Sequence, residues 1–230
     1  MSRSVLSVAV AVAAVFLTVS GAYAQVKSAP PPPKSAPAAQ AKGAAAAATF
    51  KDSRDGKTYK TMKADGKTWM AENLNFAEKG SACPENKDEN CAKYGRLYDW
   101  ATANKACPAG WHLANNDDWK SLEKHAGGGQ TAGKKLKAAK GWGNTGSGSS
   151  GNGTDEFGFA ALPGGIVQGD IGKFSAVEGP NASTAWWSAT EDKDAEEVWS
   201  WGMYQNNDEI DSGFEHPRED KLHVRCVTDK

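Results

Sequence analysis

Excess charge is missing from this chain. Its 230 residues carry 27 Lys and Arg against 28 Asp and Glu, a formal net charge of −1. That balance provides no field to draw in nucleic acid or an anionic membrane, and neither is expected as a partner. A bilayer-length apolar run is missing too: Val5 to Val19 is short of the about 20 residues a span requires. No Cys-x-x-Cys occurs, and His112, His125, His216 and His223 show no metal-ligand spacing, so no metal site is expected. There is no Gly-x-Ser-x-Gly elbow, and the Gly-rich stretch 141–153 lacks the Lys-Ser/Thr ending of a phosphate-cradling loop. Catalysis and cofactors are therefore not expected.

What is present begins with an export signal. Arg3 supplies a thin positive region, the apolar run follows, and Ser20-Gly21-Ala22-Tyr23-Ala24 offers small residues for cleavage after Ala24. Residues 1–24 thus read as a signal peptide, with an uncleaved anchor as the alternative. No Cys lies near the cleavage point to carry a lipid. Residues 25–49 hold half of the ten prolines and then mostly Ala, a composition that cannot bury enough surface to offset its ordering entropy. They read as a solvated linker, extended in its proline part. Residues 50–230 remain for one domain.

Four cysteines in an oxidising compartment imply two disulfides, and three pairings are open. Cys83 and Cys91 bracket a polar, acidic stretch of a length that closes on itself. The remaining pair, Cys107 and Cys226, would tie an early helix to the last strand. Closing roughly 120 residues in this way contributes about 4 to 5 kcal/mol.

Along the domain, Ala64-Asp65-Gly66 between β-rich runs predicts a hairpin, with Tyr59 and Trp69 on the same or a neighbouring sheet. The run Leu97–Cys107 has helical spacing and ends at Pro108 and Gly110. A strand over 110–114 leads to a second helix capped by Asn115 or Asn116, with Asp117 and Asp118 in its first turn, ending at Gly127–Gly129. A third helical stretch covers Thr131–Ala139. After the Gly/Ser loop, short strands are expected at 157–162, 166–167, 184–190, 198–204 and 222–228. Helices followed by turn-rich strands predict an α+β domain, with two or three helices packed on short, mostly antiparallel strands.

Two residue sets are candidates for binding. Trp186, Trp187, Trp199 and Trp201 fall within sixteen residues; the last two share a strand face, whereas Trp186 and Trp187 point to opposite faces. They read either as aromatic core or as a platform for sugar rings, with one of Trp187 and Trp199 facing out. Asp192 and Asp194, and Asn206 and Asp208, belong to acidic turns whose oxygens suit calcium, but no Gly-pivoted calcium loop matches them. A solvated hairpin tip is their plainer reading.

Trp100-x-x-Ala-x-x-x-Cys107, then Gly-Trp-His-Leu-Ala114, and the ending Trp-Trp-Ser-Ala-Thr-Glu191 to Val-Arg-Cys226-Val resemble C-type lectin-like domains. That resemblance implies the same Cys107–Cys226 bridge. The chain more closely resembles the Fibrobacter succinogenes major paralogous domain. The motifs are Asp-Gly-Lys-Thr-Tyr59, Thr-Trp-Met-Ala-Glu-Asn-Leu-Asn75, Tyr-Gly-Arg-Leu-Tyr98, Cys-Pro-x-Gly-Trp-His-Leu113, Glu-Phe-Gly-Phe-x-Ala-Leu-Pro-Gly-Gly165, Trp-Trp-Ser-x-Thr-Glu191 and Val-Arg-Cys-Val227. It implies an exported, surface-associated protein of unestablished molecular function. The calcium tripeptides of sugar-binding C-type lectins are absent here.

The expected role is a non-catalytic binding module at the cell surface, in the periplasm or in the medium, with polysaccharide or a cell-envelope protein as ligand. A structural scaffold is the first alternative. The second is an enzyme on a scaffold like that of formylglycine-generating enzymes, which needs reactive Cys.

Overall fold

The computed structural model describes residues 48–169, 172–175, 177, 181–191 and 197–230. The expected signal peptide and nearly all of the linker lie outside these residues, as do Asp192 and Asp194.

The hairpin forms where Asp65 and Gly66 take positive φ, at 47° and 79°. It joins β2 (Thr58–Ala64) to β3 (Lys67–Met70), closing on the pair Ala64 and Lys67. Strand β1 (Thr49–Lys51) pairs with the other side of β2 and starts at the last residue assigned to the linker. Tyr59 and Trp69 are both buried in this sheet, but on opposite faces, in different core clusters.

Next come β4 (Ser81–Ala82), α1 (Asp88–Tyr94), β5 (Leu97–Tyr98), α2 (Trp100–Ala106), β6 (His112–Leu113), α3 (Asn116–His125) and α4 (Gly129–Leu136). The helix expected from Leu97 starts three residues later, because the Asp99 side chain accepts from Thr102 N at 2.8 Å and caps it there. Leu97 and Tyr98 instead pair as a strand. Helix α1, inside the small cysteine loop, was not foreseen. Helix α3 starts as expected: Asn115 accepts from the backbone of Asp117 and Asp118, and the Asp118 side chain accepts from Asn115 N in return. Gly127 and Gly128, both at positive φ, end that turn of chain, and Gly129 already opens α4.

The second half supplies β7 (Val167–Gln168), β8 (Lys173–Phe174), β9 (Ser183–Trp187), β10 (Glu197–Tyr204), β11 (Asp211–Pro217), β12 (Leu222–His223) and β13 (Cys226–Thr228). The strand expected at 157–162 does not form. Asp155, Gly158 and Ala160 all adopt positive φ, and Ala160 N donates to Asp155 Oδ1 at 2.8 Å. That turn drives Phe159 fully into the core.

Two sheets organise the domain, in the orders β1-β2-β3-β13-β6 and β11-β10-β9-β12-β5-β4, with β7-β8 a small third ribbon. All pairings are antiparallel except β12 with β9. The last expected strand, 222–228, is split between the two large sheets: Leu222 pairs with Tyr98, and Cys226 pairs with Leu113. Between them Val224 and Arg225 cross from one sheet to the other. The fold is thus α+β, with four short α-helices among the described residues rather than two or three.

Alternation along β9 and β10 divides the aromatics. Trp186 and Trp201 face a cluster around Trp119, whose ring centroid lies 5.1 Å from Trp69, 5.4 Å from Trp186 and 6.0 Å from Trp201. Trp187 faces a second cluster with Tyr98, Val198 and Leu222. Both disulfides pair as expected, Cys83 with Cys91 and Cys107 with Cys226.

Candidate functional site

The structure separates the residues expected to bind. Trp187 is 0% exposed, and its Nε1 donates to Tyr98 O at 2.7 Å. It belongs to the core and offers no face to a ligand, which corrects its place in the candidate site. Trp199 is half-buried, on the same face of β10 as Trp201 but beyond the edge of the core. Its ring rests on Gly213, where an added Cβ would come within 3.3 Å. Asn206 and Asp208 are exposed in the turn between β10 and β11. Trp199 and Tyr204 are five strand steps apart, a distance of about 17 Å at the rise of a strand. The Trp199 face and the Asn206–Asp208 turn are therefore two different places.

The acidic turn does meet the Gly/Ser loop. Asn206 and Asp208 form one wall of a groove of about 430 Å³, with Thr145, Ser147 and Ser150 on the other side. The two walls are joined at the base, where Gln205 Nε2 donates to Asn144 O. Gly151 allows this closeness: a Cβ there would lie 2.5 Å from Gln205 Cγ. Helix α4 holds the turn from the other side, since Lys134 N donates to Asp208 O at 3.0 Å.

Beneath the groove sits Lys137, fully buried. Its ammonium donates to Tyr204 O and, at 2.6 Å, to Asn207 O, and lies 4.7 Å from the centre of the Trp142 ring. Burial pushes its pKa down to about 8. A cation thus clamps the turn by its carbonyls. Gln205 Oε1, buried at the groove wall, has no hydrogen-bond partner among the described residues. Hydroxyls, amides and the Lys134–Asp208 ion pair, 3.7 Å apart, at the groove surface suit a hydroxyl-rich neutral ligand. Among the described residues no three His, Cys, Asp or Glu side chains are grouped to hold a metal ion.

The sequence model of the Fibrobacter succinogenes major domain matches residues 52–228. The chain belongs to this family. No curated protein and no solved structure matches it.

In this Fibrobacter major domain, five of the stretches that carried the resemblance meet at one pocket. Lys57–Tyr59, Glu72–Asn75, Tyr94–Gly95 and Leu162 line it, and Arg225 lies at its floor. Arg225 is 1% exposed. Its Nε donates to Asn73 Oδ1 at 2.7 Å, and its Nη1 donates to Met70 O at 2.9 Å and Phe159 O at 3.0 Å. Asn73 also accepts from Trp186 Nε1 and donates to Tyr94 O, both at 2.8 Å. This polar network joins both sheets and the 155–162 turn at the strand crossover. Sequence reasoning missed Arg225, Asn73 and Lys137. The available signal was a lone cation inside the apolar run Leu222–Val227, which a buried strand tolerates only with partners.

Proposed function

We propose that this protein is an exported, non-catalytic binding module with a C-type lectin-like fold, holding polysaccharide in the groove between the 145–150 loop and the 205–208 turn. The observation that carries this reading is the meeting of Asn206 and Asp208 with Thr145, Ser147 and Ser150 over the buried Lys137 clamp. Neutral hydroxyl ligands are recognised by such convergent donors and acceptors on a pre-formed surface.

Other features support export and binding rather than chemistry. Two disulfides suit an oxidising compartment, and among the described residues no helix is long and apolar enough to cross a membrane. All four cysteines are paired, so the thiol chemistry of a formylglycine-generating-type scaffold has no free sulfur here. The proposal includes no cofactor.

The test is retention on insoluble glucans of the wild-type protein and of Asn206→Ala/Asp208→Ala, with and without a calcium chelator. Loss of retention in the variant, with the chelator inert, supports the groove. A second reading, a structural module of the cell envelope, is favoured by the burial of Trp69, Trp119, Trp142, Trp186, Trp187 and Trp201. Absence of retention for wild type and variant alike would favour it, and equal retention of both would move the sugar site away from the groove.

A further inference from the structure

The groove leaves the Arg225 pocket unused, and that pocket has a charge to satisfy. Buried cations in proteins are normally paired with a carboxylate. Arg225 makes three bonds to neutral oxygens only, and no described carboxylate forms a salt bridge with it. Its Nη2 has no hydrogen-bond partner among the described residues. Beside it, the Tyr94 hydroxyl is buried and also lacks one. Lys57, Lys93 and Glu72 stand at the pocket wall, Lys57 paired with Asp55 at 2.9 Å and donating to Asn75 O at 2.7 Å. Glu72 is already committed, its Oε2 accepting from Lys60 N at 2.9 Å.

We propose that this pocket binds a carboxylate carried on a group the size of one sugar ring, its oxygens meeting Nη2 of Arg225. With Nε–H and both N–H groups of Nη1 taken by Asn73, Met70 and Phe159, the two N–H groups of Nη2 are what the guanidinium has left, held in a fixed plane, to donate to an anion's oxygen. The volume, about 230 Å³, is below the roughly 300–1,000 Å³ of sites for drug-sized ligands. One ring fits and a longer ligand must leave through the mouth. Burial pushes the Arg225 pKa down to about 9, the charges of Glu72 and Asp155 offsetting it only in part, and the guanidinium lies 4.2 Å over the Phe159 ring. The inference is independent of the groove, which lies on other loops.

The test is calorimetric titration of the full chain with D-glucuronate, and with glucose, glycine, sulfate and an oligouronate for comparison. Saturable binding of glucuronate but not of glucose or sulfate is expected. Glu72→Gln removes the opposing charge and keeps an acceptor for Lys60 N, so it should tighten binding about threefold. Arg225→Lys keeps the charge but loses the Nη2 donors held in place by the other three bonds, and should weaken binding about tenfold or more. If that variant does not fold, the Glu72→Gln result decides alone. Tighter binding of the oligouronate than of the monomer assigns the carboxylate to a polymer, and equal binding assigns it to a free sugar acid. Asn206→Ala/Asp208→Ala should leave glucuronate binding intact, so failure of either site is seen separately. The proposal is overturned by absence of glucuronate binding, by equal binding of glucose or sulfate, or by a glycine site that Glu72→Gln weakens.

Discussion

Cys107 and Cys226 are bonded across 119 positions, joining the end of α2 to the first residue of β13. The bond lies beside the strand crossover, so it ties the end of α2 to the five-stranded sheet where the chain enters it. Cys83–Cys91 closes only eight positions around α1. Loop-closure entropy makes the two unequal. Replacing both members of the long pair by Ser should cost about 4 to 5 kcal/mol, and of the short pair about 2 to 3 kcal/mol, read from urea unfolding. Equal losses would show that the long bridge does not act through the unfolded chain.

His223 is fully buried in β12, its Nδ1 donating to Arg96 O at 3.1 Å and its Nε2 facing Gly164 with no hydrogen-bond partner among the described residues. Burial holds its pKa down to about 4, from an ordinary 6.5. The unfolded chain therefore takes up this proton first as pH falls. The stability it contributes is fully present above pH 6.5 and is lost between 6.5 and 4, by about 3 kcal/mol. His223→Gln should flatten that part of the stability–pH curve relative to wild type. Parallel curves for the two proteins across this window would refute the assignment.

Gly133 lies inside α4, where Ala would ordinarily stabilise a helix by about 1 kcal/mol. Here a Cβ would fall 2.0 Å from Glu209 O, in the backbone of the groove turn. Gly133→Ala should instead destabilise by about 1 to 3 kcal/mol. It should also raise hydrogen exchange at Lys134 N, whose acceptor is Asp208 O. A stabilised variant would mean that the turn yields freely.

The two tryptophans that looked equivalent as ligand contacts should differ in stability. Trp187→Ala empties a fully buried site and should cost about 3 to 5 kcal/mol. Trp199→Ala removes a half-buried ring at a sheet edge and should cost much less, measured as the shift in urea midpoint. Similar costs would place Trp199 in the core.

Local chemistry was legible wherever neighbours along the chain decide the outcome. Asp65-Gly66 makes a hairpin because two positive φ values are needed there, and Asn115 with Asp118 caps α3 because their side chains reach adjacent backbone. The Asp99 cap on Thr102 is equally local, and it starts α2 three residues after the point that the wider helical spacing predicts. The opposite faces of Trp186 and Trp187 follow from strand geometry alone.

By itself, then, the sequence determined the family, the α+β class, the hairpin and the α3 cap, since these depend on motifs, caps and turns. Only the tertiary structure decided which tryptophan is interior, where the last strand breaks, and that Arg225 and Lys137 are buried cations held by carbonyls. Periodicity says which face a side chain takes, but not whether another sheet covers that face. Burial, and the charges that burial exposes to one another, come from segments that meet only after the whole chain has folded.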